Sequence, residues 1–227
     1  MSPTKILIIG AGGIGSLLAD LVTRALAFSN LKPERFQGKG PGVVITLMDQ
    51  DVVEEHNLPH QRFASKDMGA KKVDSVCRQL KSTGVSRKSG VALEPKAENF
   101  SSTTDISGYD LVVVAVDRDE PRKLVHTKAK QWLDLRARGD GFVMFSHVDG
   151  AEIAEKLPSN PKEDAASCQL EGAIDSGNIQ FGFALAATHG AQWIVQWIRK
   201  SPTPQGRMYT IHMGELQFPT KNNEVEV

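Results

Sequence analysis

Short, largely apolar runs along the chain alternate with longer segments in which apolar residues recur at helical spacing. The apolar runs cover residues 5–9, 43–48, 91–93, 111–116 and 141–147, and the helix-like segments cover residues 16–28, 70–82, 121–137 and 178–199. Strands that are apolar on both faces are typical of parallel sheets with helices on two sides. We therefore predict an α/β fold with a mostly parallel sheet and helices on both faces.

The end of the chain follows a different pattern. Residues 207–213 alternate between polar and apolar side chains, as half-buried strands do, so we predict a strand-rich extension after the last helix. Residues 220–227 predict a disordered tail, and residues 29–42 and 158–167 predict exposed loops. A chain of 227 residues has the length of one large domain, and we predict a single domain over residues 1–227.

Four glycines stand between the first apolar run and the first helix, namely Gly10, Gly12, Gly13 and Gly15. We expect the first to make a tight turn, the next two to let the backbone approach a phosphate, and the last to let the helix pack on the strand. Such a turn aims backbone N–H groups and the positive end of a helix at a phosphate. The pattern predicts a Rossmann-like fold, but it is compatible with NAD, with ATP or with no ligand.

Carboxylates and amides follow the second apolar run. Asp49 and Asp51 stand at its carboxyl end, where an acid can accept hydrogen bonds from ribose hydroxyls. The polar segment after them contains Asn57 and Gln61, and Lys72 comes at the start of the next helix. A dinucleotide dehydrogenase does not need such a polar segment followed by a lysine, so the segment favours ATP as the nucleotide.

Two charged residues stand where ligands bind in open α/β sheets. Lys72 lies in the first turn of predicted helix 70–82, where a cation is unfavourable against the helix dipole and suits an anionic partner such as a triphosphate. Lys71 competes for the same role, and a solvated surface lysine is the ordinary alternative. Asp117 follows the central run 111–116, at the edge where ligands bind, although capping of the next helix is an alternative role.

These motifs together resemble the ThiF/MoeB/HesA family, the ATP-dependent adenylating proteins related to ubiquitin-activating enzymes. The matching positions are the turn over residues 10–15, Asp49, Asp51, Val53, Glu54, Asn57, Leu58, Gln61, Gly69, Lys72, Asp117 and Arg122. The resemblance covers about the first 125 residues and is looser beyond them. It implies a chain that binds ATP and Mg²⁺ and adenylates the C-terminal carboxylate of a ubiquitin-like or sulfur-carrier-like protein.

The resemblance also implies a role for each matching residue. The carboxylate attacks the α-phosphorus of ATP, so groups that stabilise charge on phosphate oxygens matter most. Lys72 would stabilise the α-phosphoryl charge, and Asp117 would hold magnesium. Asp49 would bind the ribose, while Asn57 and Gln61 would orient phosphate or ribose oxygens.

The sequence departs from the family in its cations. His60 stands where the family has an arginine, and a neutral imidazole cannot bind a phosphate with two parallel hydrogen bonds as a guanidinium does. Arg62 is a candidate replacement, and Arg35 or Lys39 is a further candidate for a phosphate contact. Relatives also bring an arginine from an N-terminal extension of the partner subunit, whereas this chain begins at its first strand. Loss of such cations costs orders of magnitude in rate, so the sequence supports ATP binding better than adenylation.

Charge and composition limit the partners. Lys plus Arg equals Asp plus Glu at 27 each, so no net field attracts nucleic acid or an anionic membrane. No apolar run approaches a membrane span, and residues 1–4 leave no room for a signal peptide, so we expect a cytoplasmic protein. Cys77 and Cys168 are the only cysteines, so we expect no structural zinc site built from paired cysteines.

Three other features have candidate roles beside ordinary ones. Cys168 follows the predicted loop 158–167, where some relatives place an acyl-accepting thiol, but no neighbouring base is evident and a structural thiol is the default. His189 lies in predicted helix 178–199, where we expect a core or interface histidine. That helix carries more large apolar residues than one sheet-facing stripe needs, which predicts a subunit interface and a homodimer.

Three functions therefore remain open. The first is ATP-dependent adenylation of a protein tail, which the motifs favour. The second is a nucleotide-binding scaffold of weak catalytic activity that docks a partner, which His60 favours. The third is an NAD-dependent oxidoreductase, which the glycine turn alone permits.

Overall fold

The computed structural model describes residues 2–29, 42–85, 89–157 and 168–218. Its strands are β1 (Thr4–Ile9), β2 (Val43–Met48), β3 (Val91–Lys96), β4 (Leu111–Val114), β5 (Trp132–Arg138), β6 (Gly141–Ser146), β7 (Arg207–Thr210) and β8 (Gly214–Leu216). Its α-helices are α1 (Gly13–Phe28), α2 (Lys72–Ser82), α3 (Asp119–Lys128), α4 (Glu152–Lys156) and α5 (Gly182–Ile198). The predicted loops 29–42 and 158–167 and the predicted tail 220–227 lie almost wholly outside the described residues, as do Arg35 and Lys39.

The described strands form one sheet in the order β3-β2-β1-β4-β5-β6-β7-β8. β1 lies in the parallel half, with Ile6 opposite Ile45 of β2 and Leu111 of β4. The β4–β5 pair is also parallel, and every pair from β5 to β8 is antiparallel. The Rossmann-like α/β prediction and the strand-rich C-terminal extension are confirmed.

Helices cover both faces of the sheet, which explains why the central strands are apolar throughout. Ile6 and Ile8 of β1 lie in a core shared with α1, α2 and α5, whereas Leu7 and Ile9 lie in a core shared with α3 and with residues beside α4. Because successive side chains of a strand point to opposite faces, both sets are buried. All four β1 side chains are at most 2% exposed.

The predicted helix over residues 121–137 is wrong in its second half. α3 ends at Lys128, and Trp132–Arg138 forms β5 between β4 and β6. Burial explains the difference, because Trp132, Leu133 and Leu135 point into the two cores on opposite faces of the sheet. Helical spacing suited the sequence locally, but pairing with two neighbouring strands decided the structure.

A buried ionic cluster ties α3 to β5. The Asp134 carboxylate is fully buried and is paired with the guanidinium of Arg122, with Nη2 of Arg136 at 2.9 Å and with Nε2 of His126 at 3.0 Å. Burial alone would raise the pKa of Asp134, but Arg122 and the other partners lower it to about 2. The carboxylate therefore stays charged and holds the cations in place.

Replacing Asp134 by asparagine is expected to lower the free energy of unfolding by about 3–5 kcal/mol, because the change leaves Arg122 buried without its counter-charge. Urea unfolding followed by circular dichroism measures this loss. The matched control is Asp175→Asn, which removes an exposed carboxylate and is expected to change stability by less than about 0.5 kcal/mol. Equal stability of the two variants would contradict a structural role for the cluster.

The last helix, α5, buries much of its apolar surface within the chain. Phe183, Trp193 and Ile194 are buried in the core that α5 shares with α1 and the sheet. The ring centroid of His189 lies 4.7 Å from that of Phe142, and the residue is partly exposed, so its role in the core or in an interface stays a prediction. The predicted subunit interface and homodimer stay predictions. Within the described residues no helix is long and apolar enough to cross a membrane.

Candidate nucleotide-binding site

The glycine turn joins β1 to α1 in a conformation that side chains would obstruct. Gly10 has φ +100°, and a Cβ built on it would lie 2.5 Å from the carbonyl oxygen of Ala115. A Cβ on Gly15 would lie 1.8 Å from the carbonyl oxygen of Gly10. Because the first N–H groups of α1 have no partner within the helix, the turn presents donors and a positive helix end.

Replacing Gly15 by alanine is expected to destabilise the protein by more than about 3 kcal/mol, because backbone must move to admit the methyl group. Gly108→Ala is the matched control, since nothing lies within 4 Å of its Cβ position. Thermal unfolding of both variants measures the difference. A Gly15 variant as stable as the control would show that the helix does not approach the turn this closely.

Asp49 connects the end of β2 to the glycine turn. Its Oδ2 accepts a hydrogen bond from the N–H of Ala11 at 2.7 Å, and its Oδ1 accepts one from the N–H of Asp51 at 2.8 Å. The carboxylate therefore orients the turn, and ribose binding by Asp49 stays a prediction.

Asp51 holds Lys72 in place. Nζ of Lys72 lies 3.0 Å from Oδ2 of Asp51, and the N–H of Lys72 donates to the carbonyl oxygen of Asp51 at 3.0 Å. Lys72 is 8% exposed, whereas the exposed Lys71 donates to the carbonyl oxygen of Gln50 at 2.6 Å. Of the two candidate lysines, Lys72 is therefore the one directed to an acidic residue of the site.

Asp117 follows β4 and lies within electrostatic reach of this ion pair. Burial raises the pKa of Asp117 above its ordinary value, and the charge of Asp51 raises it further. The hydrogen bond from the backbone of Asp117 and the charges of Arg118 and Arg122 lower the pKa, but they do not cancel the rise. A partly buried carboxylate next to another carboxylate suits a cation. The two oxygen donors fit Mg²⁺, which takes one or two carboxylates and completes its shell with phosphates and water. Within the described residues no group of three metal-ligating side chains is present.

Cys168 also faces these charges. Burial raises the pKa of its thiol to about 11, and Asp117 adds to the rise. Lys72 and Arg122 oppose that rise without reversing it. The group is therefore a protonated thiol at neutral pH, which is a poor nucleophile.

The loop after β2 is folded by Asn57 and brings Gln61 to the glycine turn. Oδ1 of Asn57 accepts a hydrogen bond from the N–H of Glu54 at 2.9 Å, and its carbonyl oxygen accepts one from the N–H of Gln61 at 2.9 Å. A Cβ on Gly12 would lie 3.9 Å from Oε1 of Gln61. Gln61 therefore faces the turn, while the side-chain oxygen of Asn57 folds the loop, and contact of either residue with nucleotide oxygens stays a prediction.

The two expected arginines lie elsewhere. The guanidinium of Arg62 lies 3.3 Å from Oδ2 of Asp20 in α1, at a separate cavity of about 190 Å³ between α1 and α2. Arg62 is therefore paired with α1, and its role as a replacement cation stays a prediction. Arg122 belongs to the buried cluster, where it also donates to the carbonyl oxygen of Val116.

Phe183 is a site residue that the sequence does not reveal. A Cβ on Gly13 would lie 3.3 Å from its ring, and the ring centroid lies 6.2 Å from that of His60. The Phe183 side chain, at the start of helix α5, therefore lines one side of the glycine turn. Its position in an apolar helix could not distinguish it from the other core aromatics.

The strand order and the glycine turn define a Rossmann-like α/β protein. The chain matches the model of the ThiF family over residues 1–225 and belongs to that family. Similar solved structures include E. coli MccB with MccA-N7isoASN (18% identity, 97% of this chain, 66% of that chain, TM-score 0.68). E. coli MccB with ATP is 20% identical, and the match covers 97% of this chain and 65% of that chain with a TM-score of 0.62. PaaA is 18% identical, and the match covers 95% of this chain and 64% of that chain with a TM-score of 0.60.

At these identities the solved structures show the fold alone. The chain spans slightly less than two-thirds of the length of each of the three neighbours, namely 66%, 65% and 64%. A search among curated proteins found no match.

Proposed function

We propose that this protein binds ATP at the glycine turn and adenylates a carboxylate at the end of a peptide or small carrier protein. The observation that carries the proposal is the convergence of Asp51, Lys72 and Asp117 beside that turn, in a chain of the ThiF family. The neighbouring MccB has been crystallised with ATP, and with AMPCPP together with MccA, which supports the same two ligand classes here.

The chemistry needs cations and hydrogen-bond donors more than acid–base groups. A carboxylate is already a nucleophile, and its attack on the α-phosphorus gives an acyl-adenylate and pyrophosphate. The ammonium of Lys72 would stabilise the charge that develops on the α-phosphoryl oxygens. Asp117, with Asp51 near it, would hold Mg²⁺, which neutralises phosphate charge when bound. The N–H groups of the turn would bind the remaining phosphate oxygens.

The finer proposal concerns the substrate. We infer that the carboxylate belongs to the C-terminal tail of a ubiquitin-like or sulfur-carrier-like protein and that the protein acts as a homodimer. The family assignment supports a carrier tail, whereas the MccB structures with MccA support a short peptide as the alternative. The same assignment favours ATP over NAD.

Exchange of isotope between pyrophosphate and ATP tests the proposal. The wild-type protein with Mg²⁺ and a purified carrier protein, or its tail peptide, is expected to exchange label only when the carboxylate is present. A matched tail with a C-terminal amide removes the nucleophile and is expected to abolish exchange. Isotope exchange at the same rate with and without the tail would contradict tail adenylation. The absence of exchange with every carboxylate tail tested would contradict it as well.

A second function is favoured by one observation. Burial lowers the pKa of His60, and His56 and Lys72 lower it further, so the residue that replaces the family arginine is neutral at pH 7. A site with one cation fewer suits a nucleotide-binding scaffold that docks a partner. Micromolar ATP binding without tail-dependent exchange would point to this second function.

A further inference from the structure

The cavity between α1 and α2 is lined in part by a buried side chain whose hydroxyl group has no hydrogen-bond partner. Its volume is about 190 Å³, and its lining includes Ser16, Asp20 and Arg24 of α1 and Arg62 of the loop after β2. Ser16 is 1% exposed, and its Oγ makes no hydrogen bond to any described residue. A buried polar group without a partner costs free energy, so it marks a place where a bound molecule completes the hydrogen bonding.

The lining of this α1–α2 cavity carries more positive than negative charge. Oδ1 of Asp20 lies 2.7 Å from Nε of Arg24, and Oδ2 of Asp20 lies 3.3 Å from Nη1 of Arg62. Two guanidinium groups therefore share one carboxylate, whose side chain is 9% exposed. The lining residues from α2 and its C-terminal end are uncharged. The excess of positive charge favours an anion over a cation.

The hydrogen-bonding groups of the cavity are mainly donors. Each guanidinium has several N–H groups, and apart from the contacts with Asp20 no hydrogen bond of Arg24 or Arg62 is seen among the described residues. Each of the two arginine side chains is 44% exposed, so water solvates these N–H groups in the free protein. On the opposite wall, the hydroxyls of Ser82 and Thr83 already donate to carbonyl oxygens of α2. A ligand with several acceptor oxygens therefore suits the cavity.

The volume of the cavity limits the size of that ligand. A water molecule occupies about 30 Å³ in the liquid, so the cavity has room for about six. Pockets for larger ligands such as nucleotides start at about 300 Å³. The space therefore suits one or two phosphoryl groups without a nucleoside.

We propose that the α1–α2 cavity binds a small phosphate-type anion, inorganic phosphate or pyrophosphate, through the side chains of Ser16, Arg24 and Arg62. Guanidinium groups bind phosphate oxygens with paired N–H donors, and the Ser16 hydroxyl donates to a further oxygen. A phosphoryl group has enough oxygens to meet all three side chains at once. Asp20 is the positioning residue, because it holds both arginines at the cavity. The site does not include Lys72 or Asp117, and the proposal does not require adenylation.

Calorimetric titration of the whole protein with phosphate and, separately, with pyrophosphate tests the proposal. Both titrations are made without Mg²⁺, and sodium chloride at the same ionic strength is expected to give no binding heat. Arg24→Gln is expected to weaken binding of the anion by more than about tenfold, the effect of losing a hydrogen bond between charged groups. Because Arg62 keeps its contact with Asp20 in this variant, the fold is expected to stay intact.

Arg207→Gln is the matched control for the loss of charge. The Arg207 side chain is also 44% exposed and is also paired with a carboxylate, Glu215 at 3.2 Å. It lies on β7, towards the other end of the sheet. Its affinity for the anion is expected to stay within about twofold of wild type, because solvent and salt screen an exposed charge.

Ser16→Ala separates anion binding from a structural role of the hydroxyl. Because Oγ has no partner in the free protein, thermal unfolding of this variant is expected to match that of wild type. Its affinity for phosphate is nevertheless expected to fall by about three- to tenfold, the effect of losing one hydrogen bond. Unchanged phosphate affinity in both Ser16→Ala and Arg24→Gln would overturn the proposal.

Phosphate binding at the glycine turn is the alternative, and Lys72→Ala distinguishes the two places. Binding in the α1–α2 cavity is expected to persist in this variant. Binding that is lost in Lys72→Ala and retained in Arg24→Gln would overturn the proposal, as would wild type that binds neither anion at millimolar concentration. If pyrophosphate binds more tightly than phosphate, the ligand is the leaving group of the proposed reaction, and the reverse order identifies free phosphate. Tail-dependent isotope exchange is measured separately, so failure of adenylation and failure of this site are distinguishable.

Discussion

Replacing Lys72 by alanine is expected to lower the rate of tail-dependent pyrophosphate exchange by about 10²–10³-fold, the usual effect of removing one donor to a developing oxyanion. The ammonium is positioned by Asp51 at 3.0 Å and is largely excluded from water, so no solvent cation replaces it. The fold should tolerate the change, because Asp51 has a half-exposed side chain that water can solvate. Exchange kinetics and thermal unfolding of the same preparation measure both effects.

Lys71→Ala is the matched control for this experiment. It removes the same charge one residue earlier, from an exposed side chain whose ammonium donates to the carbonyl oxygen of Gln50. Its exchange rate is expected to stay within about twofold of wild type, because solvent and salt screen an exposed charge. Loss of exchange in the Lys71 variant with retention in the Lys72 variant would reverse the assignment.

Replacing Asp117 by asparagine is expected to lower exchange more than about 100-fold at saturating ATP, because a bound metal supplies several kcal/mol of charge stabilisation. Excess Mg²⁺ should restore only part of the activity, since the amide removes the ligand charge. Glu120→Gln, an exposed change at the start of α3, is the control and should act as wild type. An Asp117 variant with an unchanged Mg²⁺ requirement would contradict the metal assignment.

The pH profile of wild-type exchange should report the same carboxylate. Its pKa in the free protein is raised by burial and by Asp51, so the group becomes protonated, and unable to hold a cation, at a higher pH than an exposed acid does. Activity at subsaturating Mg²⁺ should therefore fall as the pH falls through this raised pKa, and saturating Mg²⁺ should shift the fall to lower pH. A fall that does not depend on Mg²⁺ would assign the acid limb to another group.

The parallel half of the fold and the glycine turn could be predicted from sequence because each depends on local chemistry. Continuous apolar strands require cover on both faces, and the spacing of Gly10 and Gly15 is dictated by backbone contacts with Ala115 and within the turn. The prediction that Lys72 and Asp117 share one site depends on the family motifs, because local sequence patterns do not relate residues so far apart in the chain. The single-domain prediction stays a prediction.

Features that depend on distant contacts could not be predicted. Residues 132–138 form a strand because two neighbouring strands pair with it and the side chains of Arg122, Arg136 and His126 meet Asp134. Arg62 pairs with the buried Asp20 of α1, which also pairs with Arg24. Phe183 reaches the turn only because α5 crosses α1. In each case the partner is decided by packing, which periodicity does not encode.

The glycine turn, Lys72 and Asp117 are expected to bind one triphosphate and its metal. A crystal structure of the protein with Mg²⁺ and a non-hydrolysable ATP analogue tests it most directly. In that complex Nζ of Lys72 is expected to leave Asp51 and lie about 3 Å from a phosphate oxygen, with Asp117 at the metal. An analogue bound elsewhere, or bound at the turn with Lys72 still paired to Asp51 and Asp117 away from the metal, would contradict it.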